Sequence, residues 1–464
     1  GGIAGKFASN RKSAAICFSV SQVLIAIMSI FIFVWIEQLI PETRSMQENA
    51  IFAILVMLPS TIFIGATFPL AVRILSRHES DAGSSTASIY AWNTVGAIAG
   101  AILAGFYLIP ELGFEGTIKG AVIVNMILAL LATLFLLEQK TVYAGVTIIV
   151  LIGIFFLFNP QRPNIILRAS ALDTADYTNE KEIFFKVGRS STVLMIDNGG
   201  SYMLRTNGLP EALVFTKGGP PTRHSQRWLT LLPVVARPDA DSILVVGFGG
   251  GMALEGIPPS VKEVDVIELE PEVINANIAI KDLRTHDPLS DSRINVVIND
   301  ARNALNLTSK KYDIIVSQPS HPWTAGASHL FTREFLALGK DHLQDDGVFV
   351  QWMNSQFLNE DLLRSMAATL LSVFEYVRIY HTDSGVLTFL ASDSPLDIER
   401  QMIQSEGRPI IDDLNHYSTH GMNSVEDVLL TLAVDEEGLS RFAQYADLIT
   451  DDDNKMATQS NEFG

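Results

Sequence analysis

Two acids, a glycine turn and a loop that holds out an amide and an imidazole stand at the ends of short apolar runs in this chain of 464 residues. SILVVGFGGGMALEGI reads as a buried strand, a glycine turn and the start of a helix. Gly247, Gly249 and Gly251 would let the backbone approach a ligand there, although a tight strand-to-helix turn alone explains the same residues. About 20 residues on, VDVIELEPEV ends in Glu268, where a carboxylate can accept bonds from both hydroxyls of a ribose. INVVINDA ends in Asp300, which either reaches an adenine amino group or is an exposed strand-end acid. A fourth strand, YDIIVSQPSHPW, runs into a loop carrying Gln318 and His321, and GVFVQWM at 347–353 reads as a fifth. Gln318 accepts no proton at ordinary pH, whereas His321 is a residue type that could act as a base. Strand, glycine turn, acid, acid and loop in that order point to an adenosine-type pocket.

Other constellations carry less. His416 and His420 have the i, i+4 spacing of a shared metal, but nothing completes a ligand set, and solvated surface histidines are the competing expectation. Asp451, Asp452 and Asp453 lack the alternation and glycine of a calcium loop and read as a solvated acidic turn. No Ser-His-Asp or Cys-His arrangement can be assembled from the sequence.

The elements that must position these residues fall into two unlike parts. Up to Pro163 there are nine Lys and Arg against eight Asp and Glu, and afterwards 24 against 43. The second part is an acidic soluble domain, which excludes nucleic acid as a partner, since phosphate backbones need basic patches. The single cysteine, Cys17, forbids an internal disulfide. The first part holds five apolar stretches, at 13–36, 50–72, 90–109, 117–137 and 142–158, against the roughly 20 helical residues that cross a bilayer. The last is the shortest. Pro59, Gly65 and Pro69 predict a kink in the second. Gly96, Gly100, Ala104 and Gly105 give the third a face for close helix packing. No span has Asp, Glu or Arg at its centre, and Lys119 sits near an end, which counts against a transporter.

Loop charges orient the spans. Lys6, Arg11, Lys12, Arg73, Arg77 and Lys140 alternate with Glu37, Glu42, Glu48, Glu111 and Glu115, placing the first residues in the cytoplasm. Five crossings put the acidic domain on the extracytoplasmic side of a membrane of bacterial inner-membrane type. A fifth segment lying in the interface instead returns it to the cytoplasm. The opening GGIAGKFASNRK, without an initiating Met, reads as though helices precede it, and NEFG at the end reads as an interruption. Beyond a linker with Pro160 and Pro163, STVLMIDNGGSYMLRTNG forms a hairpin around Asp197-Asn198-Gly199-Gly200. The expected domains are 1–160 (transmembrane), 161–215 (linker and β-hairpin domain), 216–400 (doubly wound α/β) and 401–464 (acidic extension).

From about Phe184 to Phe389 the chain resembles the spermidine synthase (polyamine aminopropyltransferase) family. The whole chain is similar to its membrane-fused branch, through GATFP in the second span, HPWTAGASHLFTREF at 321–335 and LITDDD at 448–453. The resemblance implies a β-hairpin domain followed by a Rossmann-like, methyltransferase-type sheet, with a pocket for decarboxylated S-adenosylmethionine and a polyamine. It makes Glu268 the ribose-binding acid, Asp300 with Ala301 the adenine-binding pair and Gln226 a pocket glutamine. On the reacting side the residues depart from the family. Gly250 stands where the family has the aspartate that holds the donor's aminopropyl arm, Gln318 and His321 replace two acids, and Ser190 and Ser191 replace a Tyr-Gln pair. Membrane-fused relatives often carry Glu at the position of Gln318. Aminopropyl transfer needs carboxylates to hold the attacking amine and take its proton.

Three functions follow as expectations. One is a binding or scaffold subunit of a membrane complex, working with other membrane proteins and keeping a nucleoside pocket without the chemistry. Another is a transferase that uses an S-adenosyl donor, moving an aminopropyl or a methyl group. The last is a transporter with a regulatory domain. Decarboxylated S-adenosylmethionine, S-adenosylmethionine and methylthioadenosine are the ligands to expect, and no metal.

Overall fold

The computed structural model describes residues 10–39, 46–76, 81–137, 140–160, 180–215, 225–324, 326–383, 385–396, 398 and 411–460. Lys6, Glu42, Arg77, the linker at 161–179, the start of the expected 401–464 extension and the end at 461–464 lie outside them. The chain divides into two compact units, Gly1–Ala171 and Leu172–Gly464.

The first unit is helical throughout: α1 (Arg11–Leu39), α2 (Met46–Leu75), α3 (Ala82–Leu103), α4 (Ile109–Leu136) and α5 (Lys140–Leu157). Helix α1 packs on α2 and α4, burying Ala14, Ala26, Val122 and Met126, and α4 packs on α5. Three stretches are long and apolar enough to cross a membrane, Arg11–Ile36, Ala50–Leu75 and Ala82–Leu136. The expected third and fourth spans are thus one continuous stretch of 55 residues. At 1.5 Å per residue a straight helix of that length would be roughly 80 Å long, far more than a bilayer's apolar thickness. The stretch is interrupted by a π-helical turn at Ala104–Leu108 and by Gly113, whose φ of 69° breaks the helix. The described apolar part of the expected fifth span, Val146–Leu157, is shorter than a crossing needs. Large apolar side chains such as Trp92 and Phe135 point outward, as they would into lipid. The glycines of α3 meet no partner: a Cβ at Gly96, Gly100 or Gly105 would have open space around it.

The second unit opens with four antiparallel strands, β1 (Lys181–Val187), β2 (Thr192–Asp197), β3 (Ser201–Thr206) and β4 (Leu209–Phe215). The turn between β2 and β3 is the expected one, with Gly199 at φ 67° and its N–H donating to Asp197 Oδ1 at 3.0 Å. A second tight turn, Asn207-Gly208, takes positive φ at both residues, as the right-handed twist of a hairpin requires. Eight further strands follow: β5 (Ser242–Val246), β6 (Glu263–Glu268), β7 (Ile294–Ile298), β8 (Tyr312–Ser317), β9 (Leu343–Asn354), β10 (Tyr376–Asp383), β11 (Val386–Ser392) and β12 (Leu432–Val434). They form one sheet in the order β12-β10-β11-β9-β8-β5-β6-β7. From β7 to β9 the pairings are parallel, and β11, β10 and β12 add antiparallel strands at the far edge. Alternation along the strands splits the core in two. Val245, Val266 and Ile314 face one side with Trp228, while Leu244, Val246 and Ile315 face the other with Phe335 and Phe349. The sheet is therefore the mixed, doubly wound α/β arrangement expected from the sequence. Its strand order reverses between β5 and β8, and the crevice at that reversal is where such sheets bind ligands.

Residues 411–460 build into this unit. β12 pairs with β10, and the carbonyl of Ile449 accepts from the N–H of Arg333 at 2.9 Å. Within the acidic run Asp452 and Asp453 are exposed, as expected, but Asp451 is anchored. Asp451 forms a two-pronged pair with Arg302 at 2.7 and 2.8 Å and accepts from Thr332 Oγ1 at 2.8 Å. His420 likewise departs from the expected surface pair, since it is buried with its carbonyl accepting from Trp228 Nε1 at 2.9 Å.

Candidate active site

Between β5 and the helical turn at Met252–Glu255 the backbone passes through three left-handed glycines, with φ of 93° at Gly247, 53° at Gly249 and 74° at Gly251. Their reasons differ. At Gly247 a Cβ would stand 2.8 Å from the carbonyl oxygen of Gln318, so β5 and β8 can only come this close without a side chain. Gly251 lines neither of the two cavities described below and packs under Pro288 and Phe248. The loop is held from below by buried groups. Asn277 Nδ2 donates to the Gly249 carbonyl at 2.8 Å and Arg284 Nη2 to that of Gly250 at 2.9 Å. Arg284 and Arg227 share the carboxylate of Glu255, each at 2.6 Å.

Two cavities open above this loop. The first, about 230 Å³, is lined by Gly247, Gly249, Glu268, Glu270, Asp300, Ala301, Ser190 and Ser191, among others. Glu268 ends β6 almost fully buried and accepts from the N–H groups of Phe248 and Glu270, both at 2.9 Å. Burial pushes its carboxyl above the ordinary value, and the negative charge of Glu211 adds to this, while the backbone donors work against both. Asp300 caps the helix that begins at Ala301 by accepting from the N–H of Asn303 at 2.9 Å, and remains exposed at the cavity rim. The structure thus brings Glu268, Asp300, Ala301, Gly247 and Gly249 to one place.

The second cavity, about 340 Å³, meets the first at Gly249, Glu211 and the Gln318–Ser320 loop. Gln226 lines this one, apart from Glu268 and Asp300, with Phe248, Gly250, His321, Trp352 and Phe357. Gly250 leaves no room for a side chain, because a Cβ would fall 2.8 Å from Val214 and 2.9 Å from Ala212 on β4. Gln318 serves as a latch, its Nε2 donating to the Gly247 carbonyl at 2.7 Å. His321 is buried between the rings of Trp323 and Phe357, each centred 5.1 Å away. Ser190 and Ser191 hold Glu270, whose Oε2 accepts from both N–H groups at 2.9 and 3.1 Å and from Ser190 Oγ at 2.7 Å.

One residue at the junction escapes the sequence reasoning. Glu211, on β4, lines both cavities. Its Oε1 accepts from Ser320 Oγ at 2.5 Å and from Thr206 Oγ1, and lies 3.5 Å from His321 Nδ1. Its Oε2 accepts no hydrogen bond among the described residues. The one available signal was an acid alone in the otherwise apolar strand LPEALVF. Four carboxylates, of Glu211, Glu268, Glu270 and Asp300, therefore line the first cavity, and among the described residues no Lys, Arg or His does. No group of three His, Cys, Asp or Glu side chains is placed to hold a metal among the described residues.

Residues 223–384 match the family model described as Spermine/spermidine synthase domain. The polyamine aminopropyltransferase of Buchnera aphidicola subsp. Acyrthosiphon pisum is 25% identical over 183 residues, which cover 38% of this chain and 64% of that protein, so this chain spans less than two thirds of its length. The polyamine aminopropyltransferase of Oceanobacillus iheyensis is 24% identical over 423 residues, covering 82% of this chain and 78% of that one. That share is larger than the Leu172–Gly464 unit alone can supply, so the similarity reaches into the helical unit. A crystal structure of spermidine synthase in complex with the transition-state analogue AdoDATO covers 57% of this chain and 88% of that chain, at 19% identity and a TM-score of 0.47.

Proposed function

This chain belongs to the spermidine-synthase-like family, and we propose on that footing that it is a membrane-attached binding subunit whose first cavity takes an adenosyl nucleoside with a cationic tail. The charge of the lining carries this proposal. Four carboxylates with no basic side chain among the described lining residues repel a phosphate and attract a sulfonium or an ammonium. Glu268 accepts from the backbone N–H groups of Phe248 and Glu270, the Gly249 N–H adds a third backbone interaction, and what remains of its roughly four acceptor sites suits a ribose hydroxyl. Decarboxylated S-adenosylmethionine suits such a cavity better than S-adenosylmethionine, whose extra carboxylate finds no cation in the lining. Methylthioadenosine offers the uncharged core of the same ligand. The positions of the family's acids, Gly250, Gln318 and His321, support binding without aminopropyl transfer to a polyamine.

Calorimetry on the detergent-solubilised chain tests the proposal. Micromolar binding of decarboxylated S-adenosylmethionine is expected, weaker for methylthioadenosine and weakest for S-adenosylmethionine. Glu268→Ala should weaken it by roughly tenfold or more, the worth of one charge-assisted hydrogen bond. Binding should also fade on acidification at a pH above the ordinary carboxylate range, because protonated Glu268 loses acceptor capacity. No heat from any of the three ligands would overturn the proposal.

A second function, transfer from an S-adenosyl donor, is favoured by Glu211, a carboxylate at the junction beside Ser320 and His321. Mass spectrometry of a decarboxylated S-adenosylmethionine and amine mixture would show an aminopropylated product only in that case. Sidedness bears on the choice, since S-adenosyl donors are made in the cytoplasm. On the extracytoplasmic side, where five crossings would put the domain, only released nucleosides would reach the cavity. Protease cleavage between the two units in oriented vesicles reports which side it occupies. The open glycine face of α3 supports a place for other membrane subunits against it.

A further inference from the structure

We infer that the second cavity binds a monoamine with an apolar body, and that Glu211 is the anchor for its single ammonium group. The distribution of charge around the cavity carries the inference. Among the described residues Glu211 is the one carboxylate in the lining, at the end that joins the first cavity, and its Oε2 makes no hydrogen bond there. The aromatic surface comes from Phe248, Trp352 and Phe357, with the rings of Trp352 and Phe357 centred 6.4 Å apart. Such faces suit an apolar body and the ammonium that leads it. The other polar side chains of the described lining carry no acid: the amides of Gln226, Gln318, Asn354 and Gln356, the hydroxyl of Ser320 and the imidazole of His321. A diamine or triamine needs an acid at each end, and here its second ammonium would be desolvated against amides and rings. A molecule with one ammonium, an aromatic or branched middle and a neutral hydrogen-bonding end matches every part of the lining. His321, buried 3.5 Å from Glu211 with Nδ1 otherwise unbonded among the described residues, closes the anchor against the aromatic wall.

The inference stands apart from the nucleoside proposal, because Glu268 and Asp300 do not line this cavity. It is tested on the full chain in detergent by calorimetry with tyramine, which has one ammonium, one ring and one neutral hydroxyl, against putrescine. Tyramine should bind saturably and at least about tenfold tighter than putrescine. Glu211→Gln should weaken tyramine about tenfold or more, and Trp352→Leu should narrow the gap between the two amines. Glu268→Ala should leave tyramine binding within about twofold, so a dead nucleoside site and a dead amine site give different patterns. Putrescine binding as tightly as tyramine, or tyramine binding unchanged in Glu211→Gln, would overturn the assignment. If Glu211→Gln fails to fold, the ratio of the two amines on the unsubstituted chain and on Trp352→Leu still decides.

Discussion

Acids at Gly250 and Gln318, where the resemblance expects them, would carry a cost, because each position has a packing or hydrogen-bonding duty. An aspartate at 250 must push its Cβ into Val214 and Ala212, and overpacking of that kind costs about 1–3 kcal/mol. Gly250→Asp should therefore lower the unfolding midpoint, and Val214→Ala in the same chain should recover part of the loss. Equal stability for Gly250→Asp and the unsubstituted chain would show that β4 yields freely. Gln318→Glu should cost about 1–3 kcal/mol as well, since it replaces the donor to the Gly247 carbonyl with an acceptor. Denaturant titration checks this, and a neutral result would remove the latch. Glu268, Asp300 and Ala301 could be placed from sequence because a doubly wound sheet fixes where its strand ends converge. Glu211 could not. Its position depends on how the small antiparallel sheet lies over the loop after β8, a contact between distant segments that no local pattern encodes.

Two segments near the chain's end read as solvated in sequence and are docked in the structure, and each leaves a pH signature. Burial, followed by the positive charges of His416, Arg227 and His286, lowers His420 from an ordinary value of 6.5 to about 3. The folded state then holds fewer protons than the unfolded state between those values, so stability is lost as pH falls from about 6.5 towards 3. His420→Gln should flatten that slope in unfolding titrations, and an unchanged slope would place the titration elsewhere. Asp451 behaves differently, held down to about 2 by the Arg302 guanidinium and by Thr332. Its contribution is present above the ordinary carboxylate value of 3.8 and disappears as pH falls through 2. Asp451→Asn should cost on the order of 1 kcal/mol at neutral pH, because the pair is partly exposed. The docked segment should then lose amide-exchange protection before the sheet does. Periodicity gave no warning of either contact, since the helix and the turn are polar on their own and are held by partners far away in the chain.

At the scale of the whole chain, the division into an apolar helical part and an acidic α/β part was legible because bilayer and water select opposite compositions. The continuity of the third and fourth apolar runs was not. Hydropathy sees two apolar runs where the backbone continues through Gly113 as one interrupted stretch. This division carries a consequence for binding. Every residue that lines the two cavities belongs to Leu172–Gly464, and so do the buried groups that fix the glycine loop, Asn277, Arg284, Arg227 and Glu255. A chain cut between the units should leave a fragment that no longer sediments with membranes and still binds methylthioadenosine within about twofold of the full chain, as expected of sites without shared contacts. The helical fragment should resist extraction by alkaline carbonate and require detergent. A soluble fragment that folds cooperatively yet has lost methylthioadenosine would mean that the helical unit supplies part of the site. The four carboxylates would then be only one wall of a larger pocket.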